Sequence, residues 1–161
     1  MKIFKTTLIL LITFIFLSCT SSEECRENKD VLMQMGFYTK TLNTKTGLYV
    51  NTALAIDSLW VNGLGVDSFL FEKKKSIKSI DVPLKKLSTQ TDFIVRFNQK
   101  TDTISVFYQN NDRYFISLEC GCVIAHTIDE VTSTNHFIDS ISVINRDIIP
   151  TDAEHIQIYH F

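Results

Sequence analysis

Two cysteines one residue apart, Cys120-Gly121-Cys122 in the stretch SLECGCVIAH, are the residues whose type and spacing could do chemistry in this chain. Three chemistries are open to them. In an extended strand residues 120, 122, 124 and 126 share one face, so the thiolates of Cys120 and Cys122 and the imidazole of His126 would converge on a soft ion such as copper(I) or zinc. The spacing is not that of the paired Cys-x-x-Cys ligand sets of structural zinc sites, and a fourth ligand, His136 or water, is needed. A bond between Cys120 and Cys122 would close a small, strained ring, and strained exposed disulfides are the ones that exchange. The strand-to-helix setting of a Cys-x-x-Cys oxidoreductase is absent. The third is a structural staple from Cys25 to either Cys120 or Cys122, with one thiol left over. Neither the partner of Cys25 nor the leftover thiol is specified by the spacing.

Acid–base and nucleophilic groups lie nearby. Ser117 and Glu119 precede the cysteines, and His126 and His136 stand on either side of Asp129-Glu130. A hydrolase would need them joined in one cleft. The chain has no Gly-x-Ser-x-Gly, no His-Glu-x-x-His, no phosphate loop and no Asp-rich calcium loop. No catalytic residue is therefore assigned, and no cofactor is expected. His155 and His160 read as solvent-facing residues of a last strand.

The elements that must position these groups are strands. Apolar residues do not recur at three-to-four spacing over any long window, and the apolar set is rich in β-branched and aromatic residues. Phe93, Val95 and Phe97 alternate on one face, as do Ile104, Val106 and Tyr108, with a polar loop between them. Gln109 to Asp112 reads as a turn, followed by a third strand through Tyr114, Ile116 and Leu118, giving a meander. Segments 31–38, 53–61, 79–84, 123–128, 137–144 and 155–161 complete about nine short strands, with Asn62 to Gly65 as a turn. The expected fold is an all-β, antiparallel two-sheet sandwich, with a barrel-like variant as the alternative. Trp60, the single tryptophan, is assigned to core packing, a carbohydrate-stacking platform being the other reading.

Residues 1–18 read as a signal peptide: Lys2 and Lys5, then an apolar stretch from Leu8 to Leu17, too short to span a bilayer core that needs roughly 20 residues. Phe16-Leu17-Ser18-Cys19 resembles the lipobox of bacterial lipoproteins, which implies that Cys19 becomes the lipidated first residue. Thr20 to Glu24 resembles, in composition, the surface-export signal of Bacteroidota outer-membrane lipoproteins. Residues 19–28 are then a tether, and 29–161 one domain. The compartment is oxidising and favours the staple. Without the leader's two lysines the chain carries 14 basic against 18 acidic residues, so nothing argues for nucleic-acid binding. The basic run Glu72 to Lys78 reads as a solvated hairpin tip.

The segments LWVNGLGVDSFLF, IDVPL, DTISVFY, FISLECGC and HFIDSISVINRDI, with Cys25 soon after the lipobox, are similar to those of a family of small Bacteroidota lipoproteins known only as a domain of unknown function. The resemblance implies localisation and a one-domain architecture, and no activity. The expected protein is a membrane-anchored binding, adaptor or structural module of the outer membrane, with an envelope protein or a glycan as partner.

Overall fold

The computed structural model describes residues 24–160; the signal peptide and Cys19 lie outside them. Eleven strands and no helix make up the described chain: β1 (Leu32–Leu42), β2 (Tyr49–Ala53), β3 (Leu59–Gly63), β4 (Phe69–Lys74), β5 (Ser79–Pro83), β6 (Gln90–Phe97), β7 (Lys100–Ser117), β8 (Gly121–Ser133), β9 (Ser140–Val143), β10 (Asp147–Ile148) and β11 (Glu154–Tyr159). They form two sheets. One has five strands in the order β2-β1-β11-β9, with β5 also paired to β1; the other has six, β10-β8-β7-β6-β3-β4. Period-two alternation builds the interior. Met33, Met35 and Phe37 of β1, Ile80 and Val82 of β5, and Ile156 and Ile158 of β11 face Leu59, Val61, Phe93, Val95, Ile104, Val106 and Tyr108 of the second sheet across one core.

The all-β, two-sheet expectation holds, and the departures from it are local. The 109–112 segment is not a turn: β7 runs straight through it for 18 residues, with the register to β8 shifting between Asn111 and Tyr114. A β-bulge absorbs the polar run without ending the strand. Segment 53–61 is instead broken, because the chain leaves β2 at Ala53 and turns through Ser58 at φ 60° before entering β3. The pairing of β1 with β11 is parallel, so the sandwich is not antiparallel throughout.

That parallel pair explains His155, which is fully buried rather than solvent-facing. The β1–β11 register passes from Gln34–Glu154 to Met35–Ile156, leaving residue 155 as the extra one. Its ring turns inward, and Nδ1 accepts the Gln34 N–H at 3.0 Å. The imidazole thus satisfies a backbone donor that the bulge would otherwise orphan. Burial pushes the His155 pKa down, against weaker opposing effects of the Asp147 backbone and Asp81. His126 is buried as well. The Asn110 amide donates to the Lys86 and Ser88 carbonyls, so its Oδ1 accepts from His126 Nδ1–H at 2.7 Å. Burial, then the Lys86 charge, pushes the His126 pKa down.

The crossing from the six-stranded to the five-stranded sheet after β8 is held by one carboxylate. Asp102, fully buried on β7, accepts from Thr134 Oγ1 at 2.6 Å, from the His136 N–H at 2.7 Å and from its Nδ1 at 2.9 Å. Its other oxygen takes the N–H groups of Phe137 and Ile138 at 2.8 and 2.9 Å. Burial works to raise its pKa, but the Thr134 hydroxyl and the three backbone donors outweigh it and hold the carboxyl well below the usual range.

Asp102→Ala strands the buried N–H groups of Phe137 and Ile138 and releases the Thr134 and His136 donors, and is expected to lower unfolding free energy by about 3 kcal/mol, whereas exposed Asp152→Ala changes it by no more than ~0.5 kcal/mol. Equal denaturation midpoints for the two variants would refute this role for Asp102. With pH the sign is fixed: the unfolded chain protonates His126 and His155 first, so their contribution is complete above about pH 6.5 and is lost as pH falls toward their lower folded values. Asp102 adds a further loss below about pH 4. The urea midpoint should be flat from pH 7 to 8 and decline below 6.5, and a midpoint that rises on acidification would contradict the burial of neutral imidazoles.

Candidate functional site

The Cys-Gly-Cys stretch is a hairpin tip, not the middle of a strand. Ser117 pairs with Gly121 across the β7–β8 turn, Gly121 takes φ 73°, where a Cβ is disfavoured, and the Ser117 hydroxyl accepts the Cys120 N–H at 3.2 Å. The turn breaks the alternation that would have lined up residues 120, 122, 124 and 126. Cys25 is bonded to Cys120, with Cα atoms 4.7 Å apart across 95 residues of sequence, and Cys122 is left free and exposed. The sulfur of Cys120 is thus engaged, and the His126 ring stands edge-on to Tyr108 at 5.1 Å inside the sheet. Cys120, Cys122 and His126 do not converge. Among the described residues no cluster of three or more His, Cys, Asp or Glu is placed to hold a metal.

The acid–base groups are dispersed in the same way. Ser117 and Glu119 sit at the tip, His126 lies in the core, and His136 is beside Asp102 near the start of β7. Roughly fifteen residues of strand separate the two ends, a contour of about 50 Å. The Asp102–His136 pair resembles an orienting carboxylate with its imidazole, but Asp102 is spent on backbone donors. Among the described residues these groups are not brought together.

The residues that do come together are ones the sequence did not single out. Leu59 and Val61 of β3 point into the core, so Trp60 between them points to the outer face of the six-stranded sheet. The same parity on β6 buries Phe93 and Val95 and sends Ile94 and Arg96 outward. Trp60 and Arg96 are direct cross-strand partners, and the Arg96 guanidinium lies 4.5 Å from the centroid of the indole. Phe69, across the β3–β4 hairpin, meets the indole edge at 5.0 Å. Trp60 is therefore half-buried on an outer surface and not a core residue. With Asn62 and Asp67 these side chains line a cleft of ≈ 370 Å³. Among the described residues the guanidinium makes no hydrogen bond, so its five donors are held in place by stacking and remain open. A second hollow, of ≈ 700 Å³, opens at the adjoining β6–β7 turn between Phe97, Lys100 and His160.

A further hollow, of ≈ 350 Å³, lies at the hairpin tip between Lys29, Pro83, Lys86 and Cys122, whereas on the outer face of the other sheet the polar side chains bond to one another. Tyr38 donates to Glu154 at 2.9 Å, Gln157 donates to the same carboxylate, Tyr159 donates to Gln157 and Asn51 donates to Tyr159. The hydrogen bond to Glu154, with burial, pushes the Tyr38 phenol up. Gly36 makes room for this network, since a Cβ there would collide with the Glu154 carboxylate. Its polar atoms are satisfied by one another.

Residues 58–160, more than half of the chain, match the model of a family described as a family of unknown function, DUF6452. The matched segment runs from β3 to β11 and contains both the cleft and Cys120, while β1, β2 and Cys25 precede it. Neither a curated protein nor a solved structure matches the chain.

In a Cys19→Ser chain made without reductant, alkylation followed by intact-mass analysis should modify one thiol, Cys122, and three after reduction. Cys25→Ser should lower stability by up to about 4 kcal/mol, the chain-entropy value for a loop of this length. Three modified thiols before reduction would refute the Cys25–Cys120 bond.

Proposed function

The chain belongs to the family of unknown function DUF6452, which brings no activity with it, and on that premise we propose that this protein is a non-catalytic, lipid-anchored binding module of the bacterial outer membrane that takes a glycan in the Trp60–Phe69–Arg96 cleft. The single observation that carries the reading is the half-buried, outward-facing indole with a guanidinium stacked on it and a phenyl ring 5.0 Å away. Flat aromatic walls accept the C–H face of a sugar ring, and the open donors of Arg96 with the carboxylate of Asp67 suit its hydroxyls or an acidic substituent. The lipid anchor rests on the Ser18-Cys19 signature after an apolar leader.

Thiol exchange is the second reading. Cys122 is exposed two residues from a disulfide half, and attack of its thiolate on Cys25 would move the bond from Cys120 to Cys122 and release Cys120 as a thiol. It needs no cofactor. Its effect would be on the tether and not on the cleft.

Trp60 is the single tryptophan of the chain, so intrinsic fluorescence reports on the cleft. Titration with soluble envelope polysaccharide should shift its emission saturably, and Arg96→Ala or Phe69→Ala should weaken binding at least tenfold, the equivalent of about 1.4 kcal/mol, with the circular dichroism spectrum unchanged. Unaltered emission with every polysaccharide, or equal affinity in the variants, would sink the glycan reading.

A further inference from the structure

The tip of the β7–β8 hairpin carries two apolar side chains that the fold leaves uncovered. Leu118, in the turn, is 89% exposed, and Phe115, near the end of β7 and paired with Cys122, is 58% exposed. The same turn holds Cys120, and through it Cys25. From Cys25 back to Cys19 is six peptide units, which reach at most about 20 Å fully extended. Without the disulfide the tether would run from Cys19 to the start of β1 at Leu32, thirteen units and a reach of about 45 Å. The disulfide therefore holds this hairpin tip within short reach of the lipid-bearing residue.

We propose that Leu118 and Phe115 are seated in the lipid–water interface of the membrane that holds the anchor, so that the hairpin tip is a second, non-covalent foot. The inference rests on the lipid-anchor reading above. Charge gives no preference for anionic headgroups: Lys29, Asp30 and Lys86 line a hollow with Cys122 and Glu119 lies in the turn, a surface of mixed sign, so the seating is carried by the apolar side chains and the short tether. One orientation follows. Thr101, near the start of β7, lines the Trp60 cleft and Ser117 ends the strand at the tip, so seating the tip holds the cleft at the far end of the strand, distant from the bilayer.

Cys122, free and exposed at the tip, supplies the reporter. The full chain, acylated in a lipoprotein-processing bacterium, is labelled at Cys122 with an environment-sensitive dye and reconstituted into phosphatidylcholine vesicles. The dye should shift to shorter wavelength and lose accessibility to aqueous iodide severalfold, independently of salt. A Cys122→Ser, Gln99→Cys chain labelled at the β6–β7 turn should stay fully accessible. Leu118→Glu with Phe115→Glu should restore quenching at Cys122 while the protein still floats with the vesicles. Full accessibility at Cys122 on floating, acylated protein would overturn the seating alone; protection that appears only with added envelope protein would overturn it in favour of a protein contact; a chain whose mass shows no acyl group would overturn the anchor and the seating together.

Discussion

A carboxylate without water is costly unless its charge is met by donors, and Asp102 is the place where this chain accepts that constraint. Thr134, His136, Phe137 and Ile138 all turn their donors toward it. These residues form the connection by which the chain leaves β8 in one sheet and enters β9 in the other. The hydrogen bonds therefore fix how the two sheets are joined, and the core residues Phe137 and Ile138 are placed by the same donors that satisfy the charge. An apolar residue at 102 would leave that loop with the two buried N–H groups of Phe137 and Ile138 and nowhere to send them.

Around this tie the molecule is drawn out along one hairpin. β7 and β8 are the longest strands, and their length separates two kinds of surface. At the turn end are the disulfide, the free thiol and two uncovered apolar side chains. At the other end are the carboxylate tie, the aromatic cleft on the outer sheet face and the hollow beside His160. A fold makes no statement of function by itself; this one sets the Cys25–Cys120 bond and the Trp60 cleft at opposite ends of the long hairpin. Cys25 lies outside the segment that defines the family, so the disulfide ties the shared domain to the chain that precedes it.

Much of the architecture was legible because strand alternation is a local signal. Phe93, Val95 and Phe97, or Ile104, Val106 and Tyr108, show their face within six residues. The signal fails where the alternation is ambiguous or interrupted. Leu59, Trp60 and Val61 are apolar in succession, so parity alone cannot say which is outside; the partners on β6 decide. The polar run Gln109 to Asp112 resembles a turn in every local respect, yet a bulge carries the strand through it because β8 supplies the pairing. His155 reads as solvent-facing because its burial depends on an orphaned N–H of β1, more than a hundred residues away in sequence.

The sequence by itself determined an all-β class and a count of four cysteines with two of them one residue apart, since composition, period and count are properties of the linear chain. Only the tertiary structure decided that Cys120 takes Cys25 and Cys122 stays free. It also brought Arg96 over Trp60 and assigned the buried charge to Asp102. Each of those outcomes depends on which distant strands lie side by side and on the hand of a single turn at Gly121, and neither is encoded in the spacing of the residues concerned.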